Sequence, residues 1–252
     1  LAQSAPPDTA SAAALAEEND DVTDIFPDDW SGKPVGDPFS GSKDSWSYDE
    51  ASNTLTLKTG TFCLRNYGYD SYNNCIKWNV KIEPGATLQE ARIGSEYHNG
   101  YTVTNAGTIS GGTFYGKVIC EAGAVISGGT FKGAARVDAA GGEVTIEDGT
   151  FEEVSYTSGM TVKAAGTLTI NGGTFKGKRI CSVDIDNCEK IVINGGSFES
   201  SLTDLKRTTE TIINGGLFND KLYVAGDKCT VNGGLFTAEN DPLPEGAAVN
   251  GG

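Results

Sequence analysis

The sequence has few of the residues from which zinc sites are built. Histidine occurs once in 252 residues, as His98, and no two of the six cysteines stand in a CxxC pair. Structural zinc sites need clustered cysteine and histidine ligands. A zinc-centred protein is therefore not expected.

Basic side chains and long apolar runs are also scarce. The chain has 19 Lys and Arg against 34 Asp and Glu, a net charge of −15. Nucleic acids and anionic membranes favour basic patches, so neither is expected as a partner. No apolar run approaches the ~20 residues of a membrane span, and no span is predicted. A sustained helical period is missing too, which argues against helical and leucine-rich repeats.

The first 50 residues hold 12 acidic and 2 basic side chains, which is −10 of the net charge. Low hydrophobicity with high charge is typical of disorder, so residues 1–44 are predicted to be an acidic leader rich in Ala, Ser and Pro. Ala14-Leu15-Ala16 is similar to the pattern before a signal-peptidase cut, but no basic and long apolar segments precede it. A secretion signal already removed and a chance match both stay open.

One short phrase recurs seven times in the rest of the chain. It consists of a β-branched residue, a small polar or acidic residue, a pair that is usually Gly-Gly, a Thr, Ser or Leu, and a Phe. The copies end at Phe114, Phe131, Phe151, Phe175, Phe198, Phe218 and Phe236. A period near 20 residues predicts a solenoid, whose repeats bury their apolar faces by stacking. The uneven spacing, 17 to 24 residues, favours a right-handed parallel β-helix over a strict hexapeptide ladder.

Within each copy, apolar and polar residues alternate, as in Leu168-Thr169-Ile170, which predicts strands with one face inward. The next residue is Asn in the last four copies. Asn and the glycines after it are expected to supply the left-handed conformations of a tight corner. Stacking would then place the Asn amides in a hydrogen-bonded ladder and the Phe rings in a core column.

The phrase also locates the ends of the solenoid. Leu55 to Phe62 is an eroded copy and Val80 to Gly85 a second irregular one, which gives about nine coils and a length of roughly 40 Å. Trp46 to Asp49 followed by Asn53 to Leu57 predicts a β-hairpin that caps the first coil. The prediction is thus an all-β, right-handed parallel β-helix over residues 45–240, followed by a C-terminal tail over 241–252.

The cysteines suggest disulfides in an oxidising compartment. Cys63 and Cys75 flank an excursion of 11 residues, and Cys181 and Cys188 flank a later corner. Each pair is predicted to form a bond across its insertion. Cys120 and Cys229 lie several coils apart, beyond the ~7 Å that a disulfide spans, and are expected to be buried thiols.

Aromatic residues cluster near the first coils and suggest a ligand site. Nine of the 12 Trp and Tyr residues lie between Trp30 and Tyr101. Exposed rings stack on sugars while nearby amides and carboxylates bind hydroxyls. The predicted ligand-binding residues are Tyr67, Tyr69, Asp70, Tyr72, Asn74, Trp78, Tyr97 and His98. The alternative is that these rings only cap the solenoid.

One pair of acidic residues is a candidate for a calcium site or for a catalytic site. Asp184 and Asp186 lie two residues apart, so both point to one strand face, and hard oxygen ligands of this kind suit calcium. Lys178 and Arg179 stand beside them, as a polysaccharide lyase would require. The alternative is that all four are solvated strand residues. No carboxylate pair suited to a glycoside hydrolase was found, and no catalytic residue is predicted.

The hairpin segment from Trp46 to Leu57 and the repeated Ile-Ser/Asn-Gly-Gly-Thr-Phe phrase resemble exported β-helix surface proteins of Gram-positive bacteria, of the carbohydrate-binding domain-containing type. The resemblance covers residues 45–240. It implies a pectate-lyase-like right-handed β-helix on or outside the cell wall, which in some members binds acidic polysaccharide with calcium. The sequence up to Gly252 carries no wall-sorting signal. Two expectations follow: the protein is not anchored to the wall, or the sequence is a piece of a longer protein.

The expected function is that of a secreted or cell-surface, non-catalytic β-helix that binds a polysaccharide or a host or cell-wall glycan. Calcium is the one cofactor considered. Two alternatives stay open: a structural spacer or adhesin stalk of a longer surface protein, and a polysaccharide lyase or glycoside hydrolase.

Overall fold

A computed structural model describes most of the chain from residue 22 onward. The described residues are 22–27, 34–36, 44–65, 75–95, 100–132, 137–140, 142–152, 162–164, 166–176, 188–199, 203–205, 208–219, 222–224, 228–237 and 247–251. Every regular element among them is a β-strand, which confirms the all-β prediction. Within the same ranges there is no helix long and apolar enough to cross a membrane.

The longest face, face 1, is a continuous stack of parallel strands. Its strands are β1 (Val22–Pro27), β5 (Gly60–Leu64), β7 (Ala86–Ile93), β9 (Thr108–Ile109), β12 (Val125–Ile126), β15 (Glu143–Ile146), β18 (Gly166–Ile170), β20 (Cys188–Ile193), β23 (Thr208–Ile213), β26 (Lys228–Val231) and β28 (Ala248–Val249). β2 (Pro34–Gly36) pairs antiparallel with β1 at the edge.

Two further faces close each turn. Face 2 begins at the end of β7 and continues through β10 (Thr113–Phe114), β13 (Thr130–Phe131), β16 (Thr150–Glu152), β19 (Thr174–Lys176), β21 (Ser197–Phe198), β24 (Leu217–Phe218) and β27 (Leu235–Phe236). Face 3 contains β3 (Trp46–Asp49), β4 (Thr54–Leu57), β6 (Asn79–Ile82), β8 (Thr102–Asn105), β11 (Lys117–Glu121), β14 (Val137–Ala140) and β17 (Val162–Ala164). In two later turns β22 (Thr203–Leu205) and β25 (Leu222–Val224) take the place of the face 3 strand in chain order, and they pair with each other in a separate two-stranded sheet.

The chain therefore folds as a parallel β-helix, as predicted. Among the described residues, six turns place a separate strand on each face, and they begin at β8, β11, β14, β17, β22 and β25. This is fewer than the nine coils expected. The difference arises because β7 runs through faces 1 and 2 without a break, and because residues 177–187, before β20, lie outside the described residues.

The core is a column of stacked Phe rings beside a column of aliphatic side chains. Seven rings from Phe114 to Phe236 stack with centroids 4.7–5.0 Å apart and planes within 15° of parallel. Six of the seven are at most 1% exposed. Burying each contributes roughly 1.5–3 kcal/mol from the hydrophobic effect. The predicted Phe column is confirmed.

The two glycines of a corner meet different structural requirements, which the sequence analysis did not predict. A Cβ on the first glycine of a pair would lie 2.1–2.8 Å from a backbone carbonyl oxygen of the preceding turn. The second glycine has a φ between +98° and +138°. The Asn before each pair was predicted to share this left-handed conformation, and that prediction is wrong. Among the described non-glycine residues only Asn53 has a positive φ.

The predicted Asn ladder is confirmed. Each Asn side chain donates from Nδ2 to Oδ1 of the Asn one turn earlier, over 2.7 Å in four successive bonds. The first amide, Asn171, donates to Glu147 Oε2 over 2.9 Å. The ladder comprises Asn171, Asn194, Asn214, Asn232 and Asn250. All five amides point the same way, because the Glu147 carboxylate at the start of the ladder accepts hydrogen bonds and donates none.

The N-terminal hairpin is confirmed, but the solenoid extends further at both ends than predicted. β3 pairs antiparallel with β4 across the turn at residues 50–53. β1 pairs parallel with β5, so part of the predicted leader, residues 1–44, belongs to face 1. At the other end, β28 pairs with β26 inside the predicted tail, residues 241–252. Residues 1–21 lie outside the described residues.

The first predicted disulfide is not formed. No disulfide joins Cys63 and Cys75; they are 3% and 4% exposed, so each packs as a small buried side chain instead of closing the excursion between them. Burial raises the pKa of the Cys63 thiol. Cys120 and Cys229 are buried and form no disulfide, as expected. Cys181 lies outside the described residues, so its bond to Cys188 stays a prediction.

Candidate ligand-binding surface

Most of the predicted ligand-binding residues lie outside the described residues. They are Tyr67, Tyr69, Asp70, Tyr72, Asn74, Tyr97 and His98. Trp78 is described, and it is 2% exposed. Its ring lies 6.3 Å from the Tyr48 ring of the hairpin, at an interplanar angle of 57°. Trp78 therefore packs the first coil and offers no open ring face, so its predicted role as a sugar-stacking residue is wrong.

Tyr101, from the same aromatic cluster, is also packed into the solenoid. It is partly buried against the hydrophobic core. Burial raises the pKa of its phenol, and the nearby Cys75 adds to the shift. The described part of the aromatic cluster thus serves the cap.

A different surface, the outward side of face 2, carries an ordered row of polar groups. Strand pairing places Arg92 beside Thr113, and one residue per turn continues the row. The column contains Arg92, Thr113, Thr130, Thr150, Thr174, Ser197, Leu217 and Leu235. Alternation along the strands turns these side chains outward while the adjacent Phe points inward. The result is a file of hydroxyl groups spaced by one strand separation, about 4.8 Å.

A second column runs parallel to the first, two residues further along each turn. It contains Tyr115, Lys132, Glu152, Lys176, Glu199, Asn219 and Thr237. Lys132 Nζ forms an ion pair with Glu152, with both side chains about 30% exposed. We name the two columns together the face 2 strip. Its charged members are Arg92, Lys132 and Lys176 against Glu152 and Glu199, so it is slightly basic on an acidic chain.

The start of the strip is its most ligand-like part. The Arg92 guanidinium carbon lies 5.5 Å from the centroid of the Tyr115 ring. Arg92 is exposed and Tyr115 is partly exposed. The ring attracts the guanidinium through a cation–π interaction, and the planar fork of N–H donors suits a carboxylate. Arg92, Thr113 and Tyr115 together offer a cation, a hydroxyl and a ring edge within one small area.

The sequence could have indicated this area. Tyr115 follows the core residue Phe114, and period-2 alternation turns it outward. The pairing with Arg92 was not predictable, because it depends on the register between β7 and β10, and the first coils carry only irregular copies of the phrase. The predicted ligand site was based instead on the number of aromatic residues near the first coils, and one of these residues is the buried Trp78.

A second charged cluster lies on face 1, close to the cap. Arg65 Nε donates to Asp24 Oδ1 over 2.9 Å, and its Nη1 lies 3.3 Å from Glu90 Oε2. The hydrogen bond to Asp24 raises the pKa of Arg65. This cluster ties β1 to β5 and β7. Its charges are paired with one another, so we assign it to the cap.

The described residues offer little for a metal ion. They contain no group of three His, Cys, Asp or Glu side chains arranged to hold one. Glu147 accepts from Asn171, and Asp148 Oδ1 accepts from the backbone N–H of Gly149 over 2.7 Å, so both acids of that corner are engaged. Asp184 and Asp186, predicted for calcium, and Lys178 and Arg179, considered for lyase chemistry, lie outside the described residues.

No family model, no curated protein and no solved structure matches this chain. The resemblance to exported β-helix surface proteins therefore stays a prediction based on the sequence motifs.

Proposed function

We propose that the protein is a non-catalytic carbohydrate-binding β-helix of the cell surface or the extracellular space, and that the face 2 strip is where the glycan lies. The observation that carries the proposal is the Arg92–Tyr115 pair beside Thr113. Tyr115 offers a partly exposed ring edge for apolar contact with a sugar, Thr113 a hydroxyl for its hydroxyl groups, and Arg92 a cation for a uronic acid carboxylate.

The shape of the strip also favours a linear polymer. The hydroxyl groups of its first column repeat once per turn from Thr113 to Ser197, so successive sugars of an extended chain would meet similar surroundings there. The three cations of the strip and its two acids would favour an acidic polysaccharide over a neutral one by a modest margin. Since Arg92, Lys176 and Glu199 are exposed and Lys132 and Glu152 are partly exposed, that margin should shrink as salt is added.

The proposal is tested by calorimetric titration of the protein with polygalacturonate and with xylan, at low and moderate salt, with and without calcium. Replacing Arg92 by Ala should weaken polygalacturonate binding about tenfold at low salt, because a hydrogen bond to a charged group contributes about 1.5–3 kcal/mol. Xylan binding should change less. Replacing Tyr115 by Ala should weaken both, while Tyr115→Phe should retain most of the affinity.

The matched control is Lys81→Ala, which removes an exposed cation from face 3 and leaves the strip intact. Equal losses in Arg92→Ala and Lys81→Ala would mean that only overall charge matters, and would contradict the proposed site. Shortened or unsaturated sugars after incubation would contradict the non-catalytic assignment. Circular dichroism of each variant separates a lost site from a lost fold.

A structural spacer is the second candidate function. The observation that favours it is the unbroken register of the Phe stack from Phe114 to Phe236, together with the Asn ladder along one corner. Such a stack makes a stiff rod. If folded protein binds neither polymer in the titrations above, the spacer is the better assignment.

A further inference from the structure

The charges of the face 2 strip repeat with a period of two turns. Its second column carries a charged residue on each of four consecutive turns, in the order Lys132, Glu152, Lys176 and Glu199. Arg92 lies two turns before Lys132, because β7 pairs with β10 and β10 pairs with β13. The strip therefore has a cation on every second turn, and the turns that follow these cations carry, in order, Tyr115, Glu152 and Glu199.

This period sets the distance between neighbouring cations along the solenoid. Strands of one sheet lie about 4.8 Å apart, so two turns advance about 9.6 Å. The pairing from Thr113 to Ser197 keeps one register, so the period holds over all these turns. A sugar in an extended chain advances the polymer by about as much as one turn advances the solenoid. A polysaccharide along the strip therefore meets a cation at every second sugar.

The turns between the cations are unsuited to a ligand carboxylate. Two of them present a carboxylate of their own, from Glu152 and Glu199. A ligand carboxylate beside either would meet a like charge, which is unfavourable. The remaining turn presents the partly exposed Tyr115 ring, which suits the carbon–hydrogen surface of an uncharged sugar. The strip thus discriminates against a polymer with a carboxylate on every sugar.

The ion pair between Lys132 and Glu152 is compatible with ligand binding. An ammonium group has three N–H donors, and the bond to Glu152 uses one of them. Both side chains are about 30% exposed, so the other donors of Lys132 are accessible to a ligand. The pair also holds the Lys132 side chain in place, which reduces the entropy that it loses on binding.

We propose that the ligand of the strip is a linear polysaccharide with a carboxylate on every second sugar, an inference that rests on the proposed function. The carboxylates lie beside the cations, and the uncharged sugars lie over the turns between them. Hydroxyl groups of those sugars can donate to the Glu152 and Glu199 carboxylates, which accept hydrogen bonds and donate none. A hexasaccharide covers the six turns from Arg92 to Glu199 and brings three carboxylates to three cations.

The test compares three hexasaccharides by calorimetric titration of the full chain at low salt. The hyaluronan hexasaccharide has a carboxylate on every second sugar, hexagalacturonate has one on every sugar, and chitohexaose has none. Hyaluronan should bind about fivefold more tightly than hexagalacturonate, because two like charges about 4 Å apart in water reduce binding by about that factor. Chitohexaose should bind more weakly than hyaluronan, since it forms no ion pairs.

The outcomes separate this inference from the proposed function. Binding of hexagalacturonate or chitohexaose as tight as that of hyaluronan would overturn the alternating ligand and leave a carbohydrate-binding protein. If none of the three oligosaccharides binds, and neither does xylan, the proposed function is wrong and the inference falls with it. This comparison uses the parent chain, so it does not depend on the folding of any variant.

A charge swap separates the period from the overall charge. The double variant Lys132→Glu with Glu152→Lys keeps the composition and the net charge, but it moves one cation onto the turn between. Its affinity for the hyaluronan hexasaccharide should fall about fivefold, because one carboxylate now meets a like charge. Its affinity for hexagalacturonate should change little, since that ligand still meets three cations and two acids.

The matched control is the swap Lys190→Glu with Glu210→Lys on face 1. This pair has an N–O distance of 3.2 Å and similar exposure, and its exchange should change neither affinity. An unchanged hyaluronan affinity in the face 2 swap, or an equal loss in the face 1 swap, would overturn the proposal. Circular dichroism identifies a misfolded variant.

Discussion

At the scale of single residues, the Gly-Gly pair of each corner meets two separate requirements. The first glycine is needed for space and the second for its positive φ. Asp148, which replaces a first glycine, shows the effect of adding a side chain, since the following Gly149 has the widest φ of the series, +138°. The Asp148 corner therefore accommodates a side chain through the backbone angle of Gly149, while the Phe151 ring keeps its 4.7 Å spacing to both neighbours.

The space requirement predicts a large effect of one methyl group. A Cβ on Gly195 would lie 2.4 Å from the carbonyl oxygen of Asn171, and this atom belongs to the backbone, which cannot rotate away as a side chain could. Gly195→Ala should lower the free energy of unfolding by about 1–3 kcal/mol, as overpacking of a rigid interior does. Gly100→Ala is the control, because a Cβ there meets nothing within 4 Å, and it should stay within about 0.5 kcal/mol. Urea denaturation would measure both, and equal effects would refute the spatial argument.

One buried polar atom in the described core lacks a hydrogen-bond partner, so its removal should stabilise the protein. Thr211 is 1% exposed, and its Oγ1 has no hydrogen-bond partner among the described residues. Valine has nearly the same shape and no hydroxyl to desolvate, so Thr211→Val should stabilise the protein by about 1 kcal/mol. Thr230→Val, on the outward side of the neighbouring strand, should change stability little. A destabilised Thr211→Val variant would imply that the hydroxyl has a partner after all.

At the scale of elements, the capping hairpin depends on one hydrogen-bonded turn. Ser52 Oγ donates to Asp49 Oδ2 over 2.6 Å, and the backbone N–H of Ala51 donates to Asp49 Oδ1 over 3.1 Å. Both bonds favour the carboxylate, and the one from Ser52 is the main reason that the pKa of Asp49 is lowered. The hairpin turn is therefore held by an ionised Asp49.

This arrangement predicts a pH dependence confined to the cap. Because the pKa of Asp49 is lower in the folded chain than in the unfolded one, its contribution is present above the unfolded value and is lost as the pH falls through the folded value. Ser52→Ala should raise the pKa of Asp49 toward its ordinary value, which an NMR titration of the Asp49 carboxyl would measure. Ser47→Ala, on β3, should leave it unchanged. An unaltered pKa in Ser52→Ala would contradict the assigned cause.

The sequence predicted the elements best where the phrase repeats. Phe175 and Asn194 occupy the column and the ladder that period and alternation assign them, because identical turns must stack in register. Prediction failed where contacts depend on a single occurrence. β1 joins face 1 although its surroundings are acidic, since Ile25 fills the end of the core and is fully buried. Trp78 is likewise buried in the core. It lies outside the repeated phrase, so the sequence pattern did not predict its burial.

At the scale of the whole molecule, the two ends of the solenoid differ. The antiparallel strands β2 and β3 cover the first turns, and such strands interrupt the parallel edge. At the other end, Leu235 and Val249 are each 62% exposed, and the Phe236 ring stacks on one side only. Each turn of a solenoid is stabilised mainly by its neighbours. Among the described turns of this 252-residue polypeptide, those of Leu235 and Val249 therefore have the fewest stabilising contacts and should open first.

Two buried thiols can test this order of opening. Cys229 lies on β26, in one of these last described turns, and Cys120 lies on β11 in an inner turn. The exposed fractions of their side chains are 5% and 0%. Burial raises the pKa of Cys229, so the closed state holds little reactive thiolate there and labelling requires opening. In variants that keep one cysteine each, a thiol reagent under native conditions should label Cys229 many times faster than Cys120, because local opening costs less free energy than global unfolding. The two should react alike in urea. Equal native rates that follow global stability would show instead that the solenoid opens as one unit, and the difference between its ends would then have no energetic consequence.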